Sequence, residues 1–542
     1  MRSPVTRALA CAGIALAALA ASACTPASQE VDTSPREEPS PSPSEPPFEP
    51  VLAPRLLAEM DLDAKIGQLL VLTAQGTAAA DNAAQIEAYR PGGIIYFDAN
   101  LTDAAQIAEF SNGVQELSET PMFVGVDQEQ GLVVRLPVGT RFPDAMAVGA
   151  TRDPELAALR AATTATELGA LGINLNYAPD ADVNTDPNNP VIGIRSFGSD
   201  PDLVAEMALA EAEAYAEQGI VPVVKHFPGH GDTDVDSHTG LPVIDLPRDR
   251  WEAEHLPPFR AAVEAGVDAV MTAHVLMPQL DPDEPATLSS EIIGGILREE
   301  LGYDGVVTTD ALNMEGVRQR HSDGENAVLA IEAGVDQLLM PPDPAAAVAA
   351  VKAALEEGRL TEERIDESVL RVLSLKEKRG ILEAEPVDPA AADAAVTDPA
   401  HAEAAQRVAD ASVTVLRNTD GVLPLAPGTR VRVEGTNADR LAAALTGAGL
   451  EVVTGGADAD AVVVGTNTAP VGRSTAPTVV VSQGGPYSLA SSPDVDGFVA
   501  VYSSVDVSLA AAARAITGQV EPTGTLPVTI PDAAEFGTGL SY

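Results

Sequence analysis

The chain is 542 residues long and sets 80 Asp and Glu against 32 Lys and Arg, a formal net charge of −48, with 45% hydrophobic and 4% aromatic residues. That length and apolar share supply core for roughly two to four domains without covalent staples. The carboxylate excess excludes nucleic acid as a partner and disfavours anionic lipid or anionic wall polymers, and the scarcity of aromatic rings argues against a stacking surface for long carbohydrate chains.

In chain order, Arg2 and Arg7 precede an apolar stretch from Ala8 to Ala21, too short to span a bilayer. Residues 1–23 therefore read as a signal peptide. The segment ends Ala21-Ser22-Ala23-Cys24, which fits two cleavages: Ala-x-Ala releases a free protein, whereas a small residue before Cys is similar to a bacterial lipobox that makes Cys24 the lipidated first residue. Ala21 stands where a lipobox usually carries Leu. The tether that follows, residues 24–50 with eight prolines among Ser and Glu, favours the anchor. No later segment is apolar enough to cross a membrane, so any membrane attachment runs through that lipid. The only cysteines are Cys11 and Cys24, so the body beyond residue 50 has no disulfide, thiolate metal site or cysteine nucleophile.

From residue 51 to 380, eight short apolar runs alternate with segments of helical period: Gln68–Leu72, Gly93–Phe97, Met122–Val126, Ile173–Tyr177, Val221–Lys225, Ala269–Thr272, Val306–Thr309 and Gln337–Met340. Their uniform apolarity suits a parallel sheet covered on both faces, and the count is that of a TIM (β/α)8 barrel; a doubly wound open sheet is the alternative. The barrel carries one commitment, that chemistry clusters just after strand ends. Residues 381–400, rich in Ala, Pro and Asp, read as a linker, and 401–542 as a smaller α/β sandwich domain with six further apolar runs. That domain lacks a dinucleotide fingerprint.

The loop Lys225-His226-Phe227-Pro228-Gly229-His230-Gly231-Asp232-Thr233-Asp234-Val235-Asp236-Ser237-His238-Thr239 holds three of the seven histidines and follows the fifth run. Asp232, Asp234 and Asp236 imitate a calcium loop, but Ser237 occupies its glycine position and Val243 its closing glutamate. His226 and His230 have the i, i+4 spacing of helical zinc ligands, but Pro228 and Gly229 between them break a helix. Neither a metal nor another cofactor is expected.

The sequence here resembles glycoside hydrolase family 3, its β-N-acetylglucosaminidases in particular. The resemblance rests on Val126-Asp127-Gln128-Glu129, Gly193-Ile194-Arg195-Ser196-Phe197-Gly198, Lys225 to Gly231, Asp236-Ser237-His238, Thr309-Asp310-Ala311-Leu312-Asn313-Met314 and the ending Gly537 to Tyr542, in the family's order. It implies a retaining exo-β-N-acetylglucosaminidase acting on terminal GlcNAc of peptidoglycan fragments or chitooligosaccharides. Asp310 is then the nucleophile, His238 the acid/base and Asp236 its orienting partner, while Asp127, Arg135, Arg195, Lys225 and His226 clamp the sugar. An imidazole near neutrality suits both protonation of a leaving group and activation of water. One departure stands out: where the family reads Asp-Gln-Glu-Gly-Gly-Arg-Val, this chain reads Asp127-Gln128-Glu129-Gln130-Gly131-Leu132-Val133, which puts the loop before Arg135 in question. His274, at the end of the sixth run, is a further candidate for lining the site. The rival readings are a β-glucosidase taking its acid from a second-domain glutamate, a phosphorylase, and a carbohydrate-binding lipoprotein without catalysis.

Overall fold

The computed structural model describes residues 48–454 and 458–542. The signal peptide, Cys24 and all but the end of the tether lie outside the described residues.

Eight strands form the first sheet: β1 Leu70–Thr73, β2 Gly93–Tyr96, β3 Phe123–Val126, β4 Leu175–Asn176, β5 Val221–Phe227, β6 Ala269–Thr272, β7 Val306–Thr308 and β8 Leu338–Leu339. They run in the order β7-β6-β5-β4-β3-β2-β1-β8, every pair parallel. A parallel bridge from Thr308 to Gln337 joins β7 to β8 and closes the ring. The strands are Val- and Ile-rich and buried along their length, because the barrel interior covers one face and helices the other. Val71, Ile95, Phe123, Leu175, Val223, Met271 and Leu339 fill the interior, and Val372 and Leu375 of the helix Glu362–Lys378 pack against them.

The second sheet comprises β9 Thr414–Asn418, β10 Arg430–Gly435, β11 Glu451–Val452, β12 Ala461–Thr466, β13 Thr478–Ser482 and β14 Gly497–Ala500, ordered β11-β10-β12-β13-β14-β9 with only β9 antiparallel. Its alternation is visible in β13, where Val479 and Val481 face the helices Ala438–Gly447 and Asp506–Ile516. Val480 points the other way, with Phe498 and Ala500, onto Met146, Ala147 and Ala150 of the barrel helix Ala145–Thr151. The sheet is thus covered on one face by its own helices and on the other by the barrel.

The expected linker is corrected in part. Residues 389–396 form a helix, Pro389–Val396, capped by Asp388, and its Ala392 and Val396 are buried. Asn112 of the helix Ala104–Leu117 bonds both backbone groups of Val387 just before it. Alanine-rich sequence with a prolyl start is good helix material once one face has something to cover.

Candidate active site

The loops at the C-terminal ends of the barrel strands enclose a cavity of about 320 Å³. Its walls include Phe97 after β2, Asp127 and Glu129 after β3, Arg195 after β4, Lys225 and His226 on β5, and Asp310 and Asn313 after β7. Arg135, His230 and His238 also line it, and among the described residues none beyond Met340 does. Every residue expected at the site is therefore brought to one cavity except Asp236, which reaches it through His238. His274 stands behind it.

Three ions, Glu129 and Lys225 buried and Arg195 partly so, tie the loops after β3 and β4 to β5. Arg195 grips Glu129 through both arms of its guanidinium, Nε to Oε2 and Nη2 to Oε1, each at 2.8 Å. Lys225 Nζ lies 2.5 Å from Glu129 Oε1 and 3.1 Å from Asp127 Oδ1. Burial by itself would raise the Glu129 carboxyl, but Arg195 and Lys225 hold it far below the ordinary carboxylate range. Burial likewise disfavours the Lys225 ammonium, and Glu129 and Asp127 more than reverse that. These cations are fixed donors, and Glu129 is fully occupied as their counter-ion.

Asp127 keeps acceptor capacity. Arg135 Nη2 stands 3.6 Å from its Oδ2 and 5.1 Å from the Phe97 ring centroid. The departure at residues 130–132 is accommodated locally. Gln130 takes φ 72°, the left-handed region a glycine would favour, and its amide compensates by bonding Thr164 Oγ1 and the Phe142 backbone N–H. Gln128 Oε1 then accepts from the backbone N–H groups of Arg135 and Leu136, which sets the arginine against Asp127.

Asp310 follows β7, with Oδ1 accepting from the Ala311 N–H at 2.7 Å. No helix begins at residue 311, so the carboxylate is not a helix cap; the next helix starts at Glu315. Burial pushes the Asp310 carboxyl up, but His274, His226, the Ala311 N–H and Lys225 together hold it below its usual value, and it is ionised near neutrality. His274 is buried behind it, bonding Thr287 Oγ1 and the Ala311 carbonyl, and so props the loop rather than facing the cavity.

Asp236 and His238 meet across Ser237, Oδ1 to Nδ1 at 2.7 Å, and the same oxygen accepts the His238 backbone N–H. The imidazole is 60% exposed and has freedom to engage a ligand at the cavity mouth. Burial would raise the Asp236 carboxyl, but its bonds to His238 hold it below the ordinary range. The other two imidazoles on this wall are poor proton carriers: burial pushes His226 down to about 4 and His230 to about 3. Among the described residues no cluster of metal-type ligands forms around Asp232, Asp234 or Asp236.

Three residues with clear positions at the site were missed as candidates from sequence. Glu129 lay inside a quoted motif, two residues beyond Asp127 on the same loop. Asp180 and Asp182 follow β4 and surround His226, with Asp182 Oδ2 2.7 Å from its Nδ1. The signal available was position: two carboxylates at i and i+2 after a barrel strand.

Residues 61–375 match the family described as Glycosyl hydrolase family 3 N terminal domain. A β-hexosaminidase A of Pseudoalteromonas piscicida is 37% identical over 377 residues, 64% of this chain and 62% of that protein, so the chain spans less than two thirds of that relative. A solved glycoside hydrolase family 3 β-N-acetylglucosaminidase from Paenibacillus sp. str. FPU-7 superposes with a TM-score of 0.80 at 37% identity, covering 87% of this chain and 99% of that one. A solved β-glucoside phosphorylase gives a TM-score of 0.82 at 26% identity, covering 89% and 96%.

Proposed function

Because the chain belongs to glycosyl hydrolase family 3, we propose that it removes terminal, non-reducing β-linked N-acetylglucosamine from its substrate with retention of configuration. Asp310, ionised and with one oxygen tethered by the Ala311 N–H, attacks the anomeric carbon to form a glycosyl ester. His238 protonates the departing oxygen and then takes a proton from the water that cleaves the ester, while Asp236 orients the ring and offsets its charge. Lys225, Arg195 and Asp127 hold the sugar's hydroxyls, and a cavity of about 320 Å³ fits one terminal residue rather than a chain interior.

One observation carries this reading. The carboxylates lining the cavity are Asp127 and Glu129, both ion-paired, and Asp310, and no second-domain glutamate reaches it among the described residues. His238 is left as the proton carrier. That favours the glucosaminidase type over a β-glucosidase whose acid comes from the second domain. It also keeps phosphorolysis in view, since a neutral imidazole does not repel phosphate as a carboxylate does. The natural substrates would be peptidoglycan fragments or chitooligosaccharides, met outside the cell by a protein anchored through Cys24; Cys24→Ser would then shift it from membrane to medium. The deciding experiment compares aryl β-GlcNAc with aryl β-Glc, with and without phosphate. Preference for the acetamido sugar is expected, released as free GlcNAc. Preference for glucose would overturn the reading, and GlcNAc 1-phosphate as the main product would make the protein a phosphorylase.

A further inference from the structure

Behind the cavity wall, Asp180, Asp182 and His226 bring one atom each within 4.8 Å of one another, all three residues buried. The reaction above gives the two carboxyls no task. A cation is the first occupant to consider, but Arg195 Nη2 already lies 3.5 Å from Asp180 Oδ2 and supplies positive charge there. A shared proton explains the cluster better. Two adjacent carboxyls in a buried site do not both ionise. Burial and the neighbouring Asp182 push Asp180 well above the carboxylate range, so Asp180 keeps its proton, and its Oδ1 accepts the Asp182 backbone N–H at 3.0 Å.

Asp182 is then the anion, and its bonds fit an acceptor. Its Oδ1 receives the backbone N–H of His230 at 2.6 Å and of His226 at 3.4 Å, and its Oδ2 faces His226 Nδ1 at 2.7 Å. Burial lifts its carboxyl to about 6, still ionised at neutral pH. A carboxylate can only accept, so the proton between them belongs to Nδ1. The ring as a whole is neutral, since burial outweighs its acidic neighbours. Its Nε2 has no hydrogen-bond partner among the described residues, and the ring lines the cavity.

We propose that Asp182 is a positioning residue that fixes His226 as its Nδ1-protonated tautomer, so that Nε2 accepts a hydrogen bond from one hydroxyl of the ligand. The wall then selects at that point for a group that donates, while Lys225 and Arg195 select for groups that accept. That the donor is a sugar hydroxyl rests on the function proposed above; the tautomer does not.

The test begins with the intact chain carrying 15N-labelled histidine, with His226 signals identified by their loss in His226→Gln. An Nδ1-bound proton and a bare Nε2 are expected, and the reverse overturns the proposal whether or not Asp182→Asn folds. In Asp182→Asn the amide can donate to Nδ1, so the proton should move to Nε2. Competitive inhibition by GlcNAc derivatives, each with one hydroxyl replaced by fluorine, then reads the consequence, because fluorine cannot donate. At one ring position the wild-type chain should bind the fluoro compound about 10–100-fold more weakly than GlcNAc. Asp182→Asn should lose most of that discrimination. Equal discrimination in a folded Asp182→Asn overturns the proposal. Failure to bind GlcNAc at all, with the tautomer as stated, would count against the proposed function alone.

Discussion

At His238 the proposed mechanism separates two kinds of substrate. Removing the imidazole with His238→Ala should slow glycosides with poor leaving groups by several orders of magnitude more than activated aryl glycosides, whose phenolate departs unprotonated. Glycosyl-enzyme should accumulate on the activated substrate, and azide should restore turnover as the glycosyl azide. An unchanged ratio of the two rates would remove His238 from the reaction. A second residue-scale prediction concerns Lys376, buried with its Nζ 2.8 Å from Gln68 Oε1 and 5.2 Å from the Phe123 ring centroid. Burial pushes its ammonium down to about 7, so between there and the unfolded value near 10 the unfolded chain binds the extra proton. Stability therefore rises with pH across that window through this group. Lys376→Met should stabilise the fold by about 1–3 kcal/mol at pH 6, with the gain fading towards pH 10, as urea melts at the two pH values would show. Sequence revealed the residues whose types are chemically conspicuous, such as Asp310 and the Asp236-Ser237-His238 pair. It hid Glu129, Asp180 and Asp182, because a carboxylate acts there through what packs against it, and that depends on three loops meeting.

The loop after β5 is held to the barrel by the residue between the proposed dyad. Ser237 is buried while Asp236 and His238 beside it are not, and its Oγ lies 2.9 Å from His230 Nε2. Its carbonyl accepts the Gly316 N–H, and a Cβ on Gly316 would stand 2.9 Å from that same oxygen. Only a glycine lets the helix Glu315–Arg318 approach so closely. Ser237→Ala should therefore misplace His238 and leave Asp310 alone. We expect kcat/KM to fall about 10-fold or more on poor leaving groups and much less on activated ones. Uniform loss across leaving groups would show a general structural role instead. Elements were more legible than contacts: all eight barrel runs contain or overlap their strands, since an apolar run of that length has few other uses. β4 shrank to Leu175–Asn176 and the presumed linker gained a helix, both outcomes set by neighbours rather than by local sequence.

At the scale of the whole molecule, the second domain contributes no residue to the cavity lining among those described, yet it braces the wall that carries Arg195. Ser199 N donates to the Pro527 carbonyl at 3.0 Å, Arg152 bonds Thr525 Oγ1 and the Leu526 carbonyl, and the Asn184 amide reaches the Tyr487 hydroxyl at 3.1 Å. A Cβ on Gly198 would lie 2.3 Å from the Pro527 oxygen. Gly198→Ala should thus force the two surfaces apart, lowering stability by about 1–3 kcal/mol and raising KM through Arg195 with a smaller change in kcat. Thermal melts and steady-state kinetics on one preparation would check both.

That brace has a consequence for the order in which the protein is made. The β4 loop emerges more than 300 residues before the Thr525–Ile530 segment that supports it. All eight barrel strands precede that segment, so the ring can close while synthesis is still under way. The wall that carries Arg195 cannot be braced until the second sheet and the Thr525–Ile530 segment have been delivered. Full competence therefore arrives late, with the last residues of the chain.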